Sequence, residues 1–111
     1  MNQKLIESLV QMIESLPQDD YVLFQEQLTI RSIQKTEGVC GGHARIRNTR
    51  IAVWTIISFQ SQGADEEELL RNFPVLTSFD LMAARIYYKT HTTEIDHLIA
   101  SHAGEDYDDD E

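Results

Sequence analysis

Gly38-Val39-Cys40-Gly41-Gly42-His43-Ala44-Arg45-Ile46-Arg47-Asn48-Thr49-Arg50-Ile51-Ala52-Val53 is the stretch in which the pattern of the chain changes. Gly38, Gly41 and Gly42 punctuate a loop. After them, apolar and basic residues alternate with period two on either side of Asn48-Thr49, which predicts a small β-hairpin with a two-residue turn. Asparagine tolerates the positive φ that such a turn demands. With Asn48 and Thr49 as the loop, Ile46 faces Ile51 and Arg47 faces Arg50. Ile46, Ile51 and Val53 then share one face, and Arg45, Arg47 and Arg50 share the other. Like charges directly opposite on a hairpin cost about 0.2–1 kcal/mol. The arginine face therefore needs splayed, solvated side chains, an anionic protein surface, a phosphate, or the acidic end of the same chain.

On the N-terminal side of this stretch the period is helical. Leu5, Ile6, Leu9, Val10, Ile13 and Leu16 recur at three- and four-residue spacings and line one stripe of a first helix, which Pro17 ends. Tyr21, Phe24 and Leu28 continue a second helix toward Ile33, and the short connection between them predicts an antiparallel helical hairpin. Two helices alone bury little apolar surface, so this pair packs either on its own domain or on a second copy. It is the candidate dimerisation or docking element, and a homodimer is the expected state.

On the C-terminal side the helical period returns. Trp54, Ile56 and Ile57 belong to a helix that stops near Gly63. Asp65 with Glu68 makes a capping-box-like start for a short helix through Leu69, Leu70 and Phe73, closed by Pro74. Thr77 or Ser78 caps the next, with Asp80 placed to answer the cap; it carries Leu81, Ala84 and Tyr88 and ends near His91. Thr93 with Asp96 opens a last helix through Ile95, Leu98 and Ile99 to Gly104. From Val53 to Thr90, three helices and tight turns have the outline of a helix-turn-helix unit, whose third helix would be offered to a DNA groove. Ser78, Arg85 and Lys89 are the candidate DNA-facing residues of that helix. Glu66-Glu67-Glu68 and Asp80, at the starts of the second and third helices, put the wrong sign toward phosphate.

The fold class predicted is therefore all-α with one small β-hairpin and an N-terminal helical hairpin. Three segments follow: 1–36, the helical hairpin; 37–104, the β-hairpin and helix-turn-helix-like core; and 105–111, a self-repelling acidic run expected to be a disordered tail. With 111 residues, one domain is expected. No apolar run approaches the roughly 20 residues needed to span a bilayer, so no membrane partner is expected. The start lacks a signal-peptide pattern and the single cysteine cannot form an internal disulfide, which makes the cytoplasm the expected location.

The formal charge of −10 argues against unaided binding to nucleic acid. Basic residues nevertheless gather between Arg31 and Arg50, where Arg31, Lys35, Arg45, Arg47 and Arg50 face the single acid Glu37. No reaction is proposed by the residues. Cys40 and His43 sit three apart in the glycine loop, but no second cysteine or histidine falls at zinc spacing. His91, His97 and His102 are five or six apart and do not stack on one helical face, so surface histidines are expected. There is no phosphate-cradling glycine motif, nucleophile elbow or dinucleotide fingerprint. A protein that is not an enzyme, with no cofactor and no metal, is the expectation. Trp54, Phe59, Phe73, Tyr87 and Tyr88 read as core aromatics ahead of a base-stacking platform.

The Gly38–Val53 stretch, with Trp54, Gly63, Glu67-Glu68, Phe73-Pro74 and Leu76-Thr77 after it, resembles the bacterial family catalogued as domain of unknown function 433. The resemblance covers about Gly38 to about Ile95. It departs from the family pattern at Ala44, where proline is usual, and at Asn48, where glycine is usual. Members resemble homeodomain-like helix-turn-helix proteins, and some are regarded as antitoxins encoded beside a PIN-type toxin, a ribonuclease-like fold. The resemblance implies an antitoxin-like interaction protein that neutralises a toxin-like nuclease and also autoregulates, with Arg45, Arg47 and Arg50 as the partner- or phosphate-facing patch. A sequence-specific DNA-binding repressor and an adaptor protein are the alternatives.

Overall fold

In the computed structural model, which describes residues 2–105, Pro17 breaks the first apolar run into two helices, α1 (Gln3–Glu14) and α2 (Gln18–Ser32). The chain then turns extended as β1 (Ile33–Gln34), and a glycine loop with one 3-10 turn (Cys40–Gly42) leads to β2 (Arg45–Ile46). Four helices follow: α3 (Val53–Ser61), α4 (Glu66–Asn72), α5 (Ser78–Thr90) and α6 (Thr92–Glu105). The chain is thus mostly helical with one small antiparallel β element, and each of the six periodic stretches of the sequence is a helix. Of the predicted acidic tail, all beyond Glu105 lies outside the described residues.

The β element differs from the sequence reading in its partner. The register of Ile46 with Ile51 is present: Ile46 N–H donates to the Ile51 carbonyl at 2.9 Å, and Val53 N–H to that of Ala44 at 3.0 Å. It amounts to a single bridge, Arg45 with Ala52. The two-stranded sheet forms on the other edge of β2, where Ile33 pairs with Ile46 and Gln34 with Arg45. The turn is also shifted. Thr49 N–H closes it onto the Ile46 carbonyl at 2.9 Å, and Arg47, not Asn48, takes the positive φ, at 43°. Arg47 does not stay opposite Arg50: its N–H donates to the Ser32 carbonyl at 2.7 Å, continuing the register of β2 with β1, and its side chain is held by Asp80.

Two helix starts form their predicted caps, at Asp65 and Thr77, whereas α6 begins at Thr92 and so holds Thr93, the start expected with Asp96, inside its first turn. Asp65 accepts from Glu68 N–H at 2.9 Å. Thr77 and Asp80 form both halves of a capping box: Asp80 N–H donates to the Thr77 hydroxyl and Thr77 N–H to the Asp80 carboxylate. Such a box satisfies two N–H groups that the first helical turn leaves without partners.

Helix α5 is the centre of the packing. It touches α2, α3, α4, α6 and β1, and buries Asp80, Leu81, Ala83, Ala84 and Tyr87. Ile46, Val53, Ile56, Leu69, Leu81 and Ile95 are fully enclosed with it. Helix α1 buries no residue. The radius of gyration, 15.8 Å, exceeds the roughly 13 Å expected of a compact chain this long. No helix among the described residues is long and apolar enough to cross a membrane.

Candidate functional site

The three arginines expected to share one exposed face have three different fates. Arg45 is buried, because β1 pairs along β2 and lays Gln34 and Thr36 over it. Its guanidinium donates to the Thr49 carbonyl at 3.0 Å, the Thr36 hydroxyl at 2.9 Å and the Gln34 side-chain oxygen at 3.4 Å. Its Nε finds no acceptor among the described residues. Arg47 makes a two-pronged pair with Asp80, Nε to Oδ1 at 2.9 Å and Nη2 to Oδ2 at 2.8 Å, and also donates to the Val75 carbonyl. Only Arg50 is exposed and, among the described residues, free of hydrogen bonds and ion pairs.

Asp80 is corrected by the same geometry. The sequence placed it at a phosphate-facing helix start, but it is 1% exposed and neutralised by Arg47. The Arg47 hydrogen bonds, reinforced by the N–H of Thr77 against the opposing effect of burial, hold its carboxyl below the usual carboxylate range. One carboxylate thus caps α5 and anchors the turn at Arg47, thirty-three residues away in sequence. No local spacing signals such a pair.

Ser78, Arg85 and Lys89 fall on one exposed strip of α5, as steps of seven and four residues require. The Ser78 hydroxyl donates to a Glu66 carboxylate oxygen. Arg85 and Lys89 border an open groove of about 390 Å³ with Ile57, Gln60 and Tyr88. Beyond this strip only Phe79 and Thr90 of α5 are exposed; its other residues are covered or half-covered by their neighbours.

Cys40 and His43, dismissed as a pair on spacing alone, do line one cleft. It measures about 300 Å³ and also receives Arg50, Trp54, Thr55 and His102. Trp54 stacks on His102 with ring centroids 4.1 Å apart. This neighbourhood escaped the sequence reading because α6 supplies its last member from the far end of the chain. Among the described residues no cluster of three or more His, Cys, Asp or Glu is arranged to hold a metal ion. His91 stacks on Tyr87 at 3.8 Å, while His97 stands exposed. Tyr87 is buried and Phe59 packs on Phe73, which makes these aromatics packing groups.

The largest apolar feature lies elsewhere. Leu5, Ile6, Leu9, Val10 and Met12 on α1 are each about half exposed or more. Beside them, Leu9, Met12, Ile13, Leu16, Phe24 and Phe79 line a trough of about 520 Å³.

A family model described as Protein of unknown function (DUF433) matches residues 33–88, the span from β1 through most of α5. No curated protein matches the chain. Among solved structures, the crystal structure of a DUF433 member protein from Anabaena variabilis is 48% identical, covering 90% of this chain and 99% of that one with a TM-score of 0.63. The matched span holds the glycine loop, the turn at Arg47, the Asp80 anchor and, of the α5 strip, Ser78 and Arg85, and on it rests the assignment: the chain belongs to the DUF433 family.

Proposed function

We propose that the protein is a non-enzymatic, antitoxin-like interaction module that works as a homodimer and binds a toxin-like nuclease. The observation that carries the interaction reading is the apolar face of α1, which no element among the described residues covers. A twelve-residue helix is marginal in water by itself. Five half-exposed aliphatic side chains expose on the order of 500 Å², a patch as large as a monomer's largest and most of one partner's share of a standard interface of ~800 Å². A second copy fits the patch. Two α1 helices crossing antiparallel near Leu9 lay the apolar stripe of each against that of the other, and the trough beside α1 receives the aliphatic side chains of its mate. The nuclease partner comes from the family resemblance. Purification of the tagged chain from its native cells tests it: a stoichiometric nuclease-like protein, inactive until released, supports the reading, and a chain recovered only with itself overturns the antitoxin part.

A second reading, a DNA-binding repressor, draws on the exposed strip of Ser78, Arg85 and Lys89. Burial of Asp80 against Arg47 removes one of the charges that opposed it, while the exposed Glu66-Glu67-Glu68 still stands beside the strip. Duplex binding that falls steeply with salt and weakens in Arg85→Gln would favour this reading; no duplex binding at low salt removes it.

A further inference from the structure

We propose that the cleft shared by the glycine loop, the start of α3 and the end of α6 binds a small phosphate monoester. The charge of its lining is the first reason. Among the described residues no acid borders this cleft, whereas Arg50, His43 and His102 all do, in a chain that carries 19 acidic residues against 9 basic ones. Arg45 and Arg47 have acceptors within the chain, and Arg50 is the one of the three with no side-chain partner among the described residues, its five N–H donors facing an incoming oxyanion.

The backbone supplies the second reason. Helix α3 starts at the cleft from Ala52, which has no side-chain oxygen to cap it; the Ala44 carbonyl takes Val53 N–H and the Ala52 carbonyl takes Thr55 N–H, so what the helix turns to the cleft is its positive dipole end. Thr55 adds a hydroxyl one turn in. The opposite wall is a loop with positive φ at Cys40 (52°), Gly41 (65°) and Gly42 (79°). Cys40 is strained there, at a cost of the order of 1 kcal/mol, and strain of this kind gathers at ligand clamps. Gly41 has its own reason: a Cβ would stand 3.2 Å from the His43 ring, so glycine lets the imidazole fold over the loop.

The cleft is built for holding and not for attack. No hydrogen bond joins the Cys40 thiol to the His43 ring among the described residues, whereas an activated thiol needs its base within reach. Its volume, about 300 Å³, sits at the lower end of small-molecule sites and suits a phosphate on a small carrier. This inference is independent of the α1 interface, and the failure of either leaves the other standing.

Trp54 is the only tryptophan, so its fluorescence reports on this cleft alone. The intact chain is titrated with inorganic phosphate and with ribose 5-phosphate, against sodium chloride at matched ionic strength, while the ring protons of His43, His97 and His102 are followed by NMR. Saturable change with either phosphate, movement of His43 and His102 but not of His97, and roughly tenfold weaker binding in Arg50→Gln are expected. Arg71→Gln, an exposed arginine on α4, serves as the control and binds as the parent does. Saturation by ribose 5-phosphate with none by inorganic phosphate identifies the ester as the recognised species. No movement of either cleft histidine, changes that track ionic strength only, or equal binding by Arg50→Gln and the parent overturns the proposal.

Discussion

Helices α1 and α5 are similar in length and both carry apolar stripes, but α5 buries five residues and α1 none. The difference lies in what surrounds them. Helix α5 is enclosed by α2, α3, α4, α6 and β1, and even its one buried carboxylate is matched by Arg47. Helix α1 lies on the far side of Pro17 and, among the described residues, has the edge of α2 and Phe79 beside it. A stripe becomes a core where other elements close over it; where they do not, it remains available as an interface.

The comparison breaks most sharply at Leu81. Truncation of this fully buried side chain to alanine should cost about 3–4 kcal/mol, read as a lower urea midpoint with unchanged slope. If Leu81→Ala costs no more than Leu9→Ala at high dilution, the contrast between the two helices is wrong.

A smaller effect is expected at the anchor. Arg47→Met strips Asp80 of its partner and should cost about 2 kcal/mol, less than a wholly buried pair would, because the arginine side chain is 38% exposed. The sign of the pH dependence follows from the lowered carboxyl. In acid the unfolded chain binds the proton first, so the anchor's contribution is full above the usual carboxylate range and fades as pH falls through the folded value. Denaturation curves between about pH 6 and pH 2 should therefore show the parent holding its stability to lower pH than Arg47→Met. Coincident profiles would remove Arg47 as the cause.

The smallest change in protomer stability, under about 0.5 kcal/mol at high dilution, belongs to Leu9→Asp on the exposed face of α1. Its effect should appear in the assembly: sedimentation velocity should find a dimer for the parent and a monomer for the variant. A parent that sediments as a monomer at every concentration ends the second-copy reading of this face.

Much of the fold is legible because its signals are local. Pro17, the Asp65 and Thr77 caps, Pro74 and the three-and-four spacing of aliphatic residues each act within a few residues, and each marks a helix boundary or face that the structure contains. The arginine face was misplaced for the opposite reason. Period-two alternation tells which residues share a side of a strand, but not what later covers that side. Here β1, eleven or more residues upstream, covers Arg45, and Asp80 holds the Arg47 side chain away from Arg50. The cleft beside Trp54 was hidden in the same way, with members drawn from the glycine loop, the turn, α3 and α6.

The sequence by itself determined six helices, the caps of α4 and α5, the register of Ile46 with Ile51 and membership of the DUF433 family, since propensity, capping and motif are properties of neighbouring residues. Only the tertiary structure decided which charges are spent inside the chain, which arginine remains for a ligand, and which apolar stripe stays open. Those outcomes depend on contacts between residues far apart in sequence, and burial and pairing exist only once the chain has closed on itself.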